Sequence, residues 1–102
     1  MDYIFAVIEI RETNVFTAWF KSLRDVNAKA RILTRIRRLS LGNPGDTKSV
    51  GHGVSELRVD YGPGYRIYFA HRGATVVILL AGGNKGTQRQ DIALARELAQ
   101  RV

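Results

Sequence analysis

A chain of 102 residues has room for one hydrophobic core, so residues 1–102 are expected to fold as a single domain. Sixteen lysines and arginines against nine acidic residues leave a net charge of +7, which favours phosphate polymers or acidic proteins as partners. The absence of cysteine excludes disulfides, thiolate nucleophiles and thiolate metal sites.

Apolar residues near the N-terminus predict a strand and not a targeting signal. Tyr3–Ile10 is a β-branched and aromatic run, typical of a buried strand. Asp2 and Glu9 bracket this run, whereas a signal peptide has basic residues before its apolar segment. Because no apolar run is long enough to cross a bilayer, we expect a cytoplasmic protein that does not bind a membrane.

Two amphipathic helices are predicted next. Thr13 or Asn14 can cap the first helix. Asp25 can cap a longer second helix that ends near Leu41. The apolar stripe of the first helix comprises Val15, Phe16, Trp19, Phe20 and Leu23. The predicted core stripe of the second comprises Ile32, Leu33, Ile36 and Leu39.

In the second half of the chain, apolar residues recur with period two. This pattern predicts three strands, at Val54–Asp60, Tyr65–His71 and Thr75–Ala81. The connections through Gly62-Pro63-Gly64 and Arg72-Gly73 are short, so the three strands should form antiparallel hairpins.

The glycine-rich segment Gly82–Gly86 is expected to end the last strand. Thr87, with Gln90 three residues later, has the spacing of a capping box for a terminal helix that ends near Arg101. The predicted order is therefore β-α-α-β-β-β-α. This order indicates an α+β domain with a small antiparallel-rich sheet and its helices on one face.

Alternation in the middle hairpin predicts a basic surface on the side of the sheet that no helix covers. Arg58, Arg66 and Tyr68 would project from this side, where the cations could bind phosphate and the ring could stack on a base. A sheet face that is merely solvated shows the same alternation. The positive charge of the whole chain favours the interpretation as a nucleic-acid surface.

Two further candidates follow the last predicted strand. Lys85 lies in the glycine-rich loop at the end of that strand. Asp91 lies in the first turn of the terminal helix, and it would point toward Arg66 and Lys85 as a proton carrier or an orienting group. Alternatively, Asp91 interacts only with the positive end of the helix dipole.

The remaining charged and histidine positions are less informative. Arg31, Arg35 and Arg38 share one face of the second helix. Such a stripe is typically solvated, and a functional one would bind rRNA, DNA or an acidic protein segment. Neither His52 nor His71 has a partner at the spacing of metal ligands, so no metal ion is expected. The glycine-rich loop before the terminal helix matches neither the P-loop nor the dinucleotide-binding motif, so no cofactor is expected.

Three segments carry a resemblance to a known family, namely Gly53–Arg58 (GVSELR), Gly62–Tyr68 (GPGYRIY) and Leu79–Gln88 (LLAGGNKGTQ). Together with the order of elements, they resemble the phage-derived addiction module killer protein branch of the RelE/HigB/ParE toxin superfamily over essentially the whole chain. The resemblance implies a RelE-like, microbial ribonuclease-like fold. It also implies a toxin of a type II toxin–antitoxin system, inhibited by a cognate antitoxin of helix-turn-helix type.

The resemblance further implies an activity and the residues responsible for it. Several members of the superfamily cut mRNA on the ribosome without a metal ion, through attack of a ribose 2′-hydroxyl on the adjacent phosphate. On this pattern Arg66 and Lys85 would stabilise the charge that builds on the phosphoryl oxygens. Arg58, in place of paired lysines, would position the phosphate and Tyr68 would contact a nucleotide. Asp91, where some relatives carry a tyrosine, would transfer a proton.

Two other functions are compatible with the same sequence. One is a ParE-like inhibitor of DNA gyrase without catalytic activity, and the other is a non-toxic basic binding module. Members of one fold family differ in this way, so the fold does not distinguish them.

Overall fold

The computed structural model describes residues 7–102, which form a five-stranded sheet and three helices. The α+β class predicted from the sequence is confirmed. The strands are β1 (Glu9–Glu12), β2 (Thr47–Gly51), β3 (Val54–Val59), β4 (Tyr65–Arg72) and β5 (Val76–Asn84). The helices are α1 (Asn14–Ser22), α2 (Val26–Ser40) and α3 (Gln88–Ala99), and a 3-10 turn (Lys85–Thr87) precedes α3. None of the helices in this described range is long and apolar enough to cross a membrane.

The predicted caps of the first two helices are confirmed. The hydroxyl of Thr13 accepts a hydrogen bond from the backbone N–H of Phe16 at 3.1 Å. The carboxylate of Asp25 accepts from the N–H groups of Asn27 and Ala28, at 2.9 and 3.1 Å. Each cap satisfies donors that the first helical turn leaves without partners. Leu33, predicted in the core stripe of α2, is instead 53% exposed.

The strand order across the sheet is β1-β5-β4-β3-β2, with β1 parallel to β5 and every other pair antiparallel. The sequence pattern missed strand β2, because this short edge segment is largely exposed and does not alternate between apolar and polar residues. The predicted N-terminal strand Tyr3–Ile10 lies partly outside the described residues, and β1 continues to Glu12.

Helix α3 packs on the opposite face of the sheet from α1 and α2, so the prediction that all helices lie on one face is wrong. Between the sheet and α1 and α2, the buried residues include Phe16, Ile32, Leu39, Leu57, Ile67 and Leu79. Between the sheet and α3, they include Val54, Tyr68, Ala70, Ile78, Leu80 and Ala95. Strands β4 and β5 carry large apolar side chains on both faces, and burying both sets requires a helical layer on each side.

Strand β5 continues through the glycines that were expected to end it. Gly82 and Gly83 pair with Ile67 and Arg66 of β4. A β-carbon at Gly82 would lie 2.2 Å from the ring of Trp19, and one at Gly83 would lie 1.8 Å from Oδ2 of Asp91. The two glycines therefore allow α1 and α3 to approach the sheet closely on its two faces.

The predicted capping box at Thr87 and Gln90 is also wrong. The box forms three residues earlier, where the side chain of Asn84 accepts from the N–H of Gly86 at 2.8 Å. The hydroxyl of Thr87 accepts in turn from the N–H of Asn84 at 3.1 Å. This box ends β5 and starts the 3-10 turn, so that α3 begins directly over the sheet.

Replacing Gly83 with alanine is expected to lower the free energy of unfolding by about 1–3 kcal/mol, because the added methyl group overlaps the Asp91 carboxylate. The same substitution should cost less in an Asp91→Ala background, where that overlap is absent. Urea unfolding of the four proteins of this double-mutant cycle measures the difference. An equal cost in both backgrounds would show that the contact with Asp91 is not the constraint at Gly83.

Candidate functional site

Arg58, Arg66 and Lys85 line one groove of about 450 Å³ beside the β3–β4 turn. Arg58 of β3 and Arg66 of β4 are directly opposite each other in the antiparallel register, so their side chains leave the same face of the sheet. Lys85 follows the last residue of β5. Asp46 and Asp60, both exposed, also line this groove. Three of the five predicted site residues therefore lie together.

The guanidinium of Arg66 is held on two sides. Its Nη1 donates to the carbonyl oxygens of Gly64 and Tyr65, at 3.2 and 3.3 Å. Its Nε lies 3.6 Å from the carboxylate of Glu56. Within residues 7–102, Nη2 of Arg66 makes no hydrogen bond and can donate to a ligand in the groove.

The β3–β4 turn brings Lys85 close to Arg66. Gly64 has φ +77°, a left-handed conformation that glycine adopts without strain. A β-carbon at Gly64 would lie 3.3 Å from Cβ of Lys85 and 3.5 Å from Nη1 of Arg66. The backbone N–H of Lys85 also donates to the carbonyl of Pro63 at 3.4 Å. Glycine at position 64 thus provides the space in which the two cationic side chains approach each other.

Glu56 is a buried carboxylate behind the groove that sequence reasoning did not select. Its side chain is 1% exposed, and its Oε1 lies 3.5 Å from Nε of Arg58 and 3.6 Å from Nε of Arg66. Both guanidinium groups therefore share one carboxylate oxygen. Strand alternation places Glu56 on the same sheet face as Arg58 and Arg66, but its burial could not be predicted while that face was expected to lack a helix.

Helix α3 supplies the second contact to this carboxylate. Nε2 of Gln88, in the first turn of α3, donates to Oε2 of Glu56 at 2.7 Å. Two neighbouring cations offset the negative charge of a carboxylate at this buried position, and the amide satisfies its second oxygen. Glu56 thus links the position of α3 to the position of the two arginines.

Tyr68 does not lie on an exposed surface, contrary to the sequence prediction. The residue is 0% exposed because α3 covers the face of the sheet from which its side chain projects. A base therefore cannot stack on its ring. Burial, with the negative charge of Glu56 as the next cause, raises the pKa of the Tyr68 phenol.

Tyr68→Phe is expected to leave the free energy of unfolding unchanged or to raise it by up to about 1 kcal/mol, because the buried hydroxyl has no hydrogen-bond partner among the described residues. The raised pKa also makes wild-type stability depend on pH. Below about pH 10 the phenol stays protonated in both the folded and the unfolded chain, and above it the unfolded chain loses the proton first, so wild-type stability falls as pH rises. Urea unfolding between about pH 8 and 11 should therefore show a smaller decline for the variant. A marked loss of stability in Tyr68→Phe at neutral pH would contradict this.

Asp91 lies on the same face of the sheet but does not line the groove. Its Oδ2 accepts a hydrogen bond from the hydroxyl of Thr87 at 2.5 Å, and the carboxylate packs over Gly83. Gly83 pairs with Arg66, but Asp91 forms no ion pair with that arginine among the described residues. The contacts of Asp91 therefore stabilise the start of α3, and its role as a proton carrier stays a prediction.

The groove can bind an anion through several donors that the fold holds in place. Arg58 and Arg66 have side chains that are 36% and 13% exposed, so they are partly shielded from water yet accessible. Such preorganised cations stabilise negative charge on a phosphoryl group more strongly than mobile ones do. Across residues 7–102, no three histidine or acidic side chains are grouped as metal ligands.

Comparison with known proteins identifies similar sequences over most of the chain. The model of a family described as phage-derived protein Gp49-like (DUF891) matches residues 18–100. A protein of Haemophilus influenzae strain Rd, described as uncharacterized, is 48% identical over 95 residues, which are 93% of this chain and 96% of the Haemophilus protein. The range that matches the family includes the groove and the buried carboxylate behind it.

Proposed function

The chain belongs to the phage-derived Gp49-like family, and we propose that it is the toxin of a type II toxin–antitoxin system that cleaves messenger RNA. The observation that supports this function most directly is the groove in which Arg58, Arg66 and Lys85 converge. The net charge of +7 adds a long-range attraction for RNA. The resemblance to addiction-module toxins in the segments around these residues gives the reaction class.

In the proposed reaction the ribose 2′-oxygen attacks the adjacent phosphorus, and the bond from phosphorus to the 5′-oxygen breaks. The 2′-hydroxyl loses its proton, the leaving 5′-oxygen gains one, and the product carries a 2′,3′-cyclic phosphate. Negative charge builds on the phosphoryl oxygens in between. Arg66 and Lys85 donate hydrogen bonds to these oxygens, while Arg58 holds the phosphate in position.

The same proposal includes two partners. A cognate antitoxin, expected to be of helix-turn-helix type, inhibits the toxin, and mRNA on the cytoplasmic ribosome is the substrate. The resemblance to the toxin superfamily supports both partners. Covering the groove would be the simplest way to inhibit such an enzyme, because its cations must reach the phosphate directly.

Expression of the chain from an inducible promoter, alone and together with the adjacent small gene, tests the function. Growth arrest that the second gene relieves is expected, and primer extension on translated mRNA should detect discrete cleavage sites. Intact mRNA together with DNA damage would support a gyrase inhibitor instead. Normal growth without any partner gene would contradict the proposal and favour a non-toxic binding module.

A further inference from the structure

A second concave surface lies on the other side of the β3–β4 connection. This α2 groove has a volume of about 610 Å³ and is lined by residues that include Asn27, Arg31, Thr34, Arg38, Asp60 and Tyr61. Arg31 and Arg38 come from the arginine stripe of α2, to which the proposed reaction gives no role. The lining combines cations, hydrogen-bonding side chains and one aromatic ring, as surfaces that bind single-stranded nucleic acid do.

Arg31 lies over the ring of Tyr61 in the α2 groove. The guanidinium carbon of Arg31 lies 4.6 Å from the centre of the Tyr61 ring. The hydroxyl of Tyr61 donates to Oδ2 of Asp25 at 3.1 Å, which fixes the ring at the start of α2. A guanidinium stacked on a ring keeps its in-plane N–H groups available for phosphate and one face available for a base.

Arg31 and Arg38 bring positive charge to the surface of the α2 groove. Both residues are exposed, and neither forms an ion pair in the part of the chain that the structure describes. Arg35, the third arginine of the stripe, has a different role. It donates to the carbonyl oxygens of Arg58 and Pro44 and so anchors α2 to the sheet.

The two grooves are adjacent. Val59 and Asp60 line both of them, so the end of β3 forms the ridge between them. The hydrogen bond from Arg35 to the carbonyl of Arg58 holds α2 within one side-chain length of the first groove. A single strand that places one phosphate between Arg58 and Arg66 can therefore continue over Asp60 to reach Arg31.

We propose that the α2 groove binds nucleotides of the same RNA strand next to the cleaved phosphate. The proposal rests on the proposed function, because it assumes that the first groove holds an RNA phosphate. An acidic protein helix is the other polyanionic candidate, and such a helix also requires an apolar surface. The exposed apolar residues of α2, Val26 and Leu33, do not line the α2 groove, and this arrangement favours RNA.

The test compares two double variants of equal charge. Arg31→Gln/Arg38→Gln removes two cations of the α2 groove that form no ion pair within residues 7–102, whereas Arg24→Gln/Arg37→Gln removes two exposed arginines that line neither groove. The probes are a fluorescent 2′-O-methyl oligonucleotide, which lacks the attacking hydroxyl, and a nucleoside 3′,5′-bisphosphate, which is too short to span both grooves. Affinity for each probe is measured across a salt series.

The groove variant should bind the oligonucleotide about tenfold more weakly than the control variant. The slope of log affinity against log salt should fall in magnitude by about 1.4, or about 0.7 for each phosphate that the protein no longer neutralises. Affinity for the bisphosphate should be equal in the two variants. Equal oligonucleotide affinities, or a defect limited to binding of the antitoxin, would overturn the inference.

Asp60→Asn provides a test with the opposite sign. Asp60 is exposed on the ridge that the RNA strand would cross, so removing its charge should strengthen oligonucleotide binding while leaving bisphosphate binding less affected.

These binding measurements also separate the inference from the proposed function. If wild-type protein fails to cleave RNA yet shows this dependence on Arg31 and Arg38, the enzyme assignment fails and the binding surface stands. If it cleaves RNA without such dependence, only the inference fails.

Discussion

Arg66→Ala is expected to lower the rate of RNA cleavage by about 10²–10³-fold and to abolish growth arrest on expression. Arg66 is the only one of the three groove cations whose guanidinium contacts both the turn carbonyls and the Glu56 carboxylate within residues 7–102. Its position is therefore the best defined relative to a bound phosphate. Removing a preorganised donor to the developing negative charge raises the barrier while the ground state changes little.

Arg72→Ala is the matched control for this prediction. Arg72 lies at the other end of the same strand, is exposed, and does not line the groove. Its removal takes the same charge from the chain, so an effect of net charge alone would appear in both variants. Thermal unfolding establishes that both are folded. Full toxicity of a folded Arg66→Ala protein would remove this arginine from the mechanism.

Glu56→Gln is expected to lower the free energy of unfolding by about 3 kcal/mol, at the lower end of the range for breaking a buried ion pair. The amide leaves Nε of Arg66 without a negative partner among the described residues, whereas Arg58 keeps a longer contact with Asp46 at 3.9 Å. Arg58 is also exposed enough for water to offset part of the cost. The cleavage rate of the folded variant should also fall, because a carboxylate no longer orients the guanidinium of Arg66. Urea unfolding and a single-turnover cleavage assay measure the two effects.

Two further variants show whether the buried charge is responsible. Glu97→Gln removes a carboxylate from an exposed pair with Arg101, and the cost should be below about 1 kcal/mol. Glu56→Gln/Gln88→Glu exchanges the two side chains that are joined at 2.7 Å and returns a negative charge to the same place. This exchange should recover part of the stability and of the cleavage rate. Glu56→Gln with wild-type stability and activity would show that the carboxylate neither stabilises the fold nor positions the arginines.

Several features of the fold follow from short stretches of sequence. Asp25, and Thr13 with Asn14 as its alternative, could be predicted as helix caps because a cap bonds to amides within three residues, an interaction that nearby sequence specifies. Arg58 and Arg66 lie opposite each other because a short connection sets the register of the two strands, and alternation places both side chains on the same face. The grouping of these arginines with Lys85 could be predicted for the same reason, since Lys85 follows the neighbouring strand.

Other features depend on which element packs on which face. Strand alternation distinguishes the two sides of a sheet, but it does not indicate whether a distant helix covers the polar side. Because α3 packs there, Tyr68 and Glu56 are buried, and the surface expected around Tyr68 does not exist. The same packing explains Gly82 and Gly83, which resemble a loop in the sequence but lie within β5 where helices approach it.

Composition thus specifies that the domain is basic, because net charge depends only on which residues the chain contains. Local pattern specifies its α+β class, two of its helix caps and the cations that meet at the end of the central hairpin, because these depend on contacts between near neighbours. The position of α3, the burial of Glu56 between Arg58 and Arg66, and the groove along α2 are determined by the folded structure. Each of these arises from contacts between residues far apart in the chain, and such contacts form only when apolar surface on both sides of the sheet is buried together.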